Sequence, residues 1–471
     1  MLDPVWDKWH EECGVVGAFG SPAVDTAMLA LHAVQHRGQE SAGIAVSDGR
    51  LIRSHRELGL VSDLAEKIRG VADFSGSIAI GHTRYSTTGF SNIKNSQPIL
   101  IDYKKGQLAV AHNGNLTNAA ELRAWMENKG HIFQSTNDSE IILHLVARSQ
   151  KEKVSEMVCD SLRRLEGAFS LVILTERQLM AARDPLGVRP LCLGRKGEMV
   201  IVASETCALD IVGAEYVRDI EPGELLIIDG PFKMRSVRFA PVRRTAHCVF
   251  EYIYFSRPDS RIFGHNVDKV RRALGRKLAE ESPVEADIVI PVPDSSNTAA
   301  LGYAQASGIP FEIGLIRNHY VGRTFISPMQ QDRDARVKIK FNTVRGVLKD
   351  KRVVVVEDSI VRGTTLRQLV KLIRSAGPKE IHLRVSSPPV KHPCYHGMDF
   401  PTPSELIANR MSVQQTCDYL GADSLAHLSL KGLRECSNDE RKGFCYACFS
   451  GQYPGRHRPA CDKQVFERKR C

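Results

Sequence analysis

Four consecutive valines, Val353–Val356, stand inside the segment RVVVVEDSIVRGTT, which runs from Arg352 to Thr365. An unbroken β-branched run reads as a strand buried on both faces, and such strands belong in the middle of a parallel sheet. A parallel sheet needs crossover helices, and the neighbouring stretches supply them. VDKVRRALGRKLAEES and TTLRQLVKLIRSAG have helical periodicity and alternate with the strand-like ADIVIPVPDSS and EIHLRVSSPP. The second half of the chain is therefore an α/β unit with right-handed crossovers. The acid pair Glu357 and Asp358 falls where the central strand ends, and open α/β sheets place their ligands at that edge. Ser359, Gly363, Thr364 and Thr365 follow, offering N–H groups and hydroxyls at a helix N-terminus, which favours a phosphate. Two carboxylates beside a phosphate cradle suit a phosphorylated sugar, the acids taking ribose hydroxyls or Mg²⁺. The blander alternative, a buried strand followed by an ordinary N-cap, leaves the acid pair without a role.

With 471 residues, 42% hydrophobic and 25% charged, the chain has the makeup of a globular protein of two or three domains. No apolar run approaches the ~18 residues of a membrane span. The start, MLDPVWDKWHEE, is polar and acidic where a signal peptide would be basic and then apolar. A cytoplasmic location is expected. The net charge of +10 is diffuse except in the tail GRHRPACDKQVFERKRC, and suits anionic small substrates as well as nucleic acid. Twelve cysteines in such a setting point away from a disulfide framework and toward a metal site, a nucleophile, or both among inert thiols.

At Cys13 the texture changes abruptly to ECGVVGAFG. Removal of twelve residues would make this cysteine N-terminal, and its own α-amine, with a pKa near ~8, could then serve as base toward its thiol. Taken alone, a structural thiol is the better reading. The neighbours change that: QHRGQESAGIAV carries Arg37 and Gly38, GSIAIGHTRYSTTG delivers Arg84 and Thr87, LAVAHNGNLTN carries Asn113 and Gly114 into a turn before a helix, and STNDSEIILHLV sets Asp138 at a helix start. Between Leu162 and about Asp229 short strands and hairpins follow, including the turn RDPLGVRP, to which no chemical role is assigned.

Cys13 with these four elements resembles the N-terminal-nucleophile glutaminase domain of the class II amidotransferases. DSIVRGTT resembles the phosphoribosyl pyrophosphate (PRPP) signature of type I phosphoribosyltransferases, in the version of the glutamine PRPP amidotransferases. That family usually has Asp where Glu357 stands. The resemblance implies a four-layer αββα glutaminase domain, residues 13–240, behind a propeptide, residues 1–12. It implies a type I phosphoribosyltransferase domain with a parallel sheet at 241–455, and leaves 456–471 as a basic tail. The overall class is α/β and α+β.

Glutamine hydrolysis passes through an oxyanion, for which the Asn113 amide and the Gly114 N–H are suitable donors. The α-carboxylate of glutamine calls for a bidentate cation, Arg84, and its α-ammonium for an anion, Asp138. Thr87 joins this group by resemblance, and Arg37 and Gly38 support it. On the PRPP side the resemblance implies contacts from Glu357, Asp358, Ser359, Arg362, Gly363, Thr364 and Thr365. PDSS is similar to a pyrophosphate loop, with Ser295 joining Glu357 and Asp358 at Mg²⁺, and Asp294 and Ser296 nearby. The cationic stretch RNHYVGRTFISPMQQDRDARVKIKF lacks a clean period and is similar to the loop that closes over PRPP, with Arg317, Tyr320 and Arg323 as contacts.

Cys445 and Cys448 form a Cys-x-x-Cys pair able to hold a metal centre. Spacing does not name further ligands. The resemblance supplies Cys248 and Cys394, as in the cluster-bearing branch of the family, and so implies a structural [4Fe–4S] site, with zinc as the alternative. Cys159, Cys192, Cys207, Cys417 and Cys436 are expected to be inert, and Cys461 and Cys471 lie in the tail.

The expected activity is the joining of glutamine, water and PRPP into 5-phosphoribosylamine, pyrophosphate and glutamate, the first step of purine synthesis. The resemblance also implies purine nucleotide inhibitors and a homo-oligomer, commonly a tetramer. Two other readings are a PRPP-sensing, DNA-binding regulator, which has no need of Cys13, Arg84, Asn113 and Asp138 together, and another class II amidotransferase, which would need a sugar-isomerase domain where DSIVRGTT stands.

Overall fold

A computed structural model describes residues 13–71, 74–85, 92–242, 244–318, 340–398, 400, 402–438 and 443–455. The first half is built from two antiparallel sheets. The seven-stranded sheet runs, in spatial order, Glu215–Asp219, Cys192–Lys196, Met199–Ala203, Gly14–Phe19, Ile78–Arg84, Ser41–Ser47 and Ile52–Leu58. The six-stranded sheet runs Lys233–Arg238, Glu224–Gly230, Leu179–Arg183, Gly167–Leu174, Gly106–Leu116 and Ile99–Tyr103.

Side-chain alternation explains how these sheets stack. Val15, Ile80, Ala109, Ala111, Val172 and Val200 point between the sheets and form one core. Val16 and Ala79 face the other way, onto the helix Ala23–Ala33, and Leu108 and Val110 pack toward the helices Ser139–Arg148 and Val154–Leu162. A period of two along each strand thus feeds two apolar layers at once, which is what a four-layer αββα sandwich requires. The expected fold class is present.

In the second half a four-stranded parallel sheet runs in the order Ile288–Pro291, Arg352–Glu357, Glu380–Val385, Ser424–His427. The valine run behaves as its composition demands. Val354 and Val356 enter one core, Val353 and Val355 the opposite one, and all four are fully buried. On one face the helices Val267–Glu281 and Asn297–Ser307 cross so closely that a Cβ at Gly275 would lie 1.8 Å from the Ala299 carbonyl oxygen. On the other, Thr364–Arg374 buries Leu366, Leu369, Val370 and Ile373.

The core that contains Val354 also takes in Ala168 and Val188 of the first half, so the two halves share buried apolar surface. The connection passes through Glu251–Phe255, a π-helical turn.

Candidate active site

Cys13 precedes the strand Gly14–Phe19, whose pairing sets Gly14 against Thr83; the next residue out, Arg84, therefore ends its strand beside Cys13. Both are buried. The Cys13 thiol donates to the Tyr85 carbonyl at 3.4 Å, and the Cys13 carbonyl accepts from Arg37 Nε at 3.1 Å. Gly38 is needed for this packing, since a Cβ there would lie 2.6 Å from the Arg84 carbonyl carbon.

A bond between the sheets fixes the level of the next element. His82 Nε2–H donates to the His112 carbonyl at 3.0 Å, bringing the strand that carries Asn113 against the strand that ends at Arg84. Burial pushes the His82 imidazole down to about 3, so it is a neutral donor. Asn113 and Gly114 do not form the turn expected for an Asn-Gly pair. They lie within the strand Gly106–Leu116, opposite Ser170 and Phe169. Gly114 has φ +147°, and a Cβ on it would approach the Ala168 carbonyl oxygen to 2.1 Å, so glycine here answers close packing. The Asn113 side-chain Nδ2 is buried with no hydrogen-bond partner among the described residues.

Asp138 precedes the helix Ser139–Arg148 but does not cap it. Its carboxylate accepts the Leu116 N–H at 2.9 Å and lies 3.6 Å from His112 Nδ1. Burial opposes its ionisation, but the neighbouring His112, together with the Leu116 N–H and the Ser139 hydroxyl, outweighs burial and holds the carboxyl below the usual range. Thr87 lies outside the described residues.

In the second half a cavity of about 380 Å³ opens at the carboxyl edge of the parallel sheet, lined in part by Asp294, Ser295, Arg317, Glu357, Asp358, Ser359, Gly363 and Thr365. Asp358 is buried and accepts the hydroxyls of both Ser295 and Ser359. Gly363 adopts the left-handed φ +79° at the start of Thr364–Arg374, and Gly363 and Thr365, at that helix's N-terminus, line the cavity. The Thr298 hydroxyl, also on the cavity wall, is buried without a partner among the described residues. Arg317 pairs with Asp294 at 2.8 Å. Arg362 reaches outward to Glu405 at 3.1 Å, and neither it nor Thr364 is on the cavity wall. Tyr320 and Arg323 lie outside the described residues.

The cavity extends past Tyr254, Ser256 and Arg257 to His36, which belongs to the first half. Next to it Arg37, fully buried, pairs with Glu205 at 2.6 Å and with Glu251 at 2.7 Å; Glu251 also receives Arg189 at 3.4 Å and the Ser256 hydroxyl at 2.7 Å. Arg189 belongs to the turn RDPLGVRP, which thus makes buried contacts that the sequence did not reveal: its guanidinium also donates to the His396 carbonyl at 2.8 Å. Glu205 and Glu251 carried no signal in sequence, because their partners are 168 and 214 residues away.

Four cysteines from three segments come together. Cys248 and Cys445 are directly paired in a short parallel bridge, and Cys448 opens onto Cys445, Cys248 and Cys394 closely enough for their charges to act on it. Burial, reinforced by those neighbours, pushes the Cys448 thiol well above its ordinary range, and burial pushes Cys445 up to about 12. All four are unbridged. Among the described residues no group of three or more His, Cys, Asp or Glu is arranged to hold a metal ion. Cys159, Cys192, Cys207, Cys417 and Cys436 each have a thiol pushed up by burial. Cys461 and Cys471 lie outside the described residues.

Comparison with known proteins agrees with both halves. The model of a glutamine amidotransferase domain matches residues 82–210, and that of a phosphoribosyl transferase domain residues 264–397. Amidophosphoribosyltransferase 1, chloroplastic, of Arabidopsis thaliana is 50% identical over 451 residues, which cover 95% of this chain and 79% of the relative. Among solved structures, one described as the allosteric regulatory enzyme of purine biosynthesis matches with a TM-score of 0.89 at 48% identity, covering 94% of this chain and 96% of its own. The glutamine PRPP amidotransferase from Bacillus subtilis complexed with ADP and GMP matches with 0.88, also at 48% identity, covering 94% and 97%. With likeness of this depth over nearly the whole length, the chain belongs to the amidophosphoribosyltransferase family, glycosyltransferases of purine biosynthesis that carry a glutamine amidotransferase domain.

Proposed function

We propose that the two halves, residues 13–240 and 241–455, run in series, with Cys13 as the glutaminase nucleophile once residues 1–12 have been removed. The freed α-amine takes the thiol proton, and the thiolate attacks the glutamine side-chain amide. The oxyanion is met by Asn113 Nδ2 and the Gly114 N–H, the Cys13 α-ammonium returns its proton to the amide nitrogen, which leaves as ammonia as the C–N bond breaks, and water then releases glutamate from the thioester. Arg84 and Thr87 would grip the α-carboxylate and Asp138 the α-ammonium. The observation that carries this reading is the Asn113 amide, buried and with no partner among the described residues, beside the Cys13 strand: a buried donor left open is costly unless another group completes it.

In the second half, the backbone after Asp358, with Ser359, Gly363 and Thr365, would bind the 5′-phosphate of PRPP, with Arg317 and Tyr320 as further contacts; Thr364 and Arg362, off the cavity wall here, would join only if Arg362 left Glu405. Ammonia would then attack C1 as pyrophosphate departs, the transition state resembling an oxocarbenium ion. Ser295, Glu357 and Asp358 fit Mg²⁺ as a partial donor set, since this ion keeps water and substrate phosphate oxygens as its other ligands. When bound, it would neutralise charge on the leaving pyrophosphate. Ammonia released to water would be protonated, so a dry route is required. The extension of the cavity to His36 is the natural candidate.

Cys248, Cys394, Cys445 and Cys448 would supply four soft thiolate donors from three distant segments to a [4Fe–4S] cluster; Cys248, Cys394 and Cys448 pack in one apolar core and Cys445 pairs with Cys248, but the four are not arranged around a metal position in this structure. Its role would be structural, because the reaction transfers no electrons. Purine nucleotides share the ribose phosphate of PRPP, and the ADP and GMP of the Bacillus subtilis complex support such inhibitors here. A homo-oligomer and a cytoplasmic location complete the proposal; no helix among the described residues is long and apolar enough to cross a membrane.

The test is pyrophosphate release by purified protein. It should require PRPP and either glutamine or ammonia, and its absence under both conditions would contradict the reading.

A further inference from the structure

The buried Arg37–Glu251 pair takes no part in the chemistry above, yet it joins the two halves at their most consequential point. All three guanidinium nitrogens of Arg37 are committed: Nε donates to the Cys13 carbonyl at 3.1 Å, Nη1 to Glu205 at 2.6 Å and to Glu251 at 3.0 Å, and Nη2 to Glu251 at 2.7 Å. Neither Arg37 nor Glu251 has solvent-exposed side-chain surface. An ion pair so placed is held rigidly, because neither charge can swing to water without first being uncovered.

Its two ends matter. At one end, the carbonyl that Arg37 holds shares its Cα with the amine and thiol-bearing carbon of Cys13, so a displacement of the guanidinium moves the reacting groups. At the other end, Glu251 accepts the Ser256 hydroxyl at 2.7 Å, and the Ser256 carbonyl accepts Arg271 Nη2 at 2.8 Å. Arg271 also donates to the Tyr252 carbonyl at 2.6 Å, gripping the π-helical turn that presents Glu251. Ser256, Arg271 and Asp358 all line the cavity, and the Arg271 charge feels that of Asp358.

We propose that Glu251 is a positioning residue for Cys13: it fixes the guanidinium that holds the nucleophile's carbonyl, and through Ser256 and Arg271 it makes the nucleophile responsive to occupancy of the phosphoribosyl cavity. The inference rests on the reading of Cys13 as nucleophile and of the cavity as the PRPP site. Glu205, the second counter-charge to Arg37, also meets the cavity wall, through His36 at 2.8 Å and the Arg257 N–H at 2.9 Å, whereas Glu251 is the acid that ties Arg37 to Ser256 and, through it, to Arg271.

The experiment compares wild type with Glu251→Gln in three measurements: glutamine-dependent synthesis, ammonia-dependent synthesis, and the rate of Cys13 alkylation by iodoacetamide, resolved by peptide mass spectrometry, with and without PRPP and Mg²⁺. In wild type PRPP should change the alkylation rate by about fivefold or more, in the usual range of coupling between sites. In E251Q that change should fall below about twofold and glutamine-dependent kcat should drop by about tenfold or more, while ammonia-dependent synthesis stays within about twofold. An E251Q enzyme that keeps the PRPP effect and its glutamine-dependent rate overturns the proposal, as does a wild type whose Cys13 ignores PRPP. If E251Q loses ammonia-dependent synthesis as well, Arg37→Lys carries the test, since it keeps the charge against both acids but lacks the Nε donor to Cys13. Parallel loss of both syntheses there too would mark the pair as structural only and overturn the proposal. A wild type without glutamine-dependent synthesis would instead refute the underlying site reading.

Discussion

Asp138 turns its carboxylate away from the helix it begins and onto the Leu116 N–H, 2.9 Å distant and 22 residues earlier in the chain. A buried carboxylate held by one N–H and the Ser139 hydroxyl, near one imidazole and with no guanidinium partner among the described residues, has capacity left for a cation. Asp138→Asn should therefore raise KM for glutamine by roughly 10- to 100-fold, the worth of one charge-assisted hydrogen bond. Ammonia-dependent synthesis should not change. Steady-state kinetics with both nitrogen donors checks this, and equal damage to both would contradict the assignment. Because the carboxyl titrates below its usual range, KM for glutamine should also stay flat between pH 8 and about 5.

Asn113→Ala removes a donor aimed at charge that develops only in the transition state. The expected result is a loss of about 10²–10³ in glutamine-dependent kcat with KM changed only a few-fold. A rise in KM with kcat preserved would assign Asn113 to ground-state binding.

These residues also mark what could be read in advance. The valine run was legible because a strand buried on both faces leaves no polar alternation, and its residues do divide between two cores. Asp138 was placed correctly at a helix start, but the partner of its carboxylate lies on another strand, which no local pattern encodes. Asn113-Gly114, expected in a turn before a helix because Asn and Gly favour turns, instead lies within a strand; here glycine is required by the approach of the Ala168 carbonyl from the next strand. Arg37 was expected to support the site, whereas Glu205, Glu251 and Arg189 were invisible. Such long-range ion pairs arise only once distant segments have folded together, and Arg37–Glu251 only once the two halves have. The Cys-x-x-Cys pair was visible locally, while Cys248 and Cys394 came from resemblance alone; Cys248 pairs with Cys445, but no metal-holding group forms among the described residues.

Acidification should destabilise the fold through its buried histidines. Burial pushes His82 down to about 3 and His427 down to about 4, against about 6.5 in the unfolded chain. Their folded pKa values are depressed, so between these limits the unfolded state binds the extra protons. Stability is complete above pH 6.5 and is lost as pH falls, by about 1.4 kcal/mol per pH unit for each histidine. Asp184, raised by burial to about 6, acts in the opposite sense between pH 4 and 6 and offsets the slope of one histidine, while His247 and His396, also pushed down by burial, add to the loss. Tm should thus fall from pH 7.5 to 5, with a shallower slope in His427→Gln. A Tm that rises on acidification would contradict this balance.

Protein purified without oxygen should hold about four irons per chain if the four cysteines carry a [4Fe–4S] cluster, and Cys448→Ser should lower that content together with thermal stability. One zinc per chain would replace this account with a mononuclear site.

The central claim is that ammonia is made at one site and used at the other. Cys13→Ala separates them most directly, measured as pyrophosphate release from PRPP with glutamine or with ammonium as nitrogen donor. Activity with glutamine should disappear, while activity with ammonium should match wild type within about twofold. Loss of both activities, or survival of the glutamine-dependent one, would contradict the division of labour.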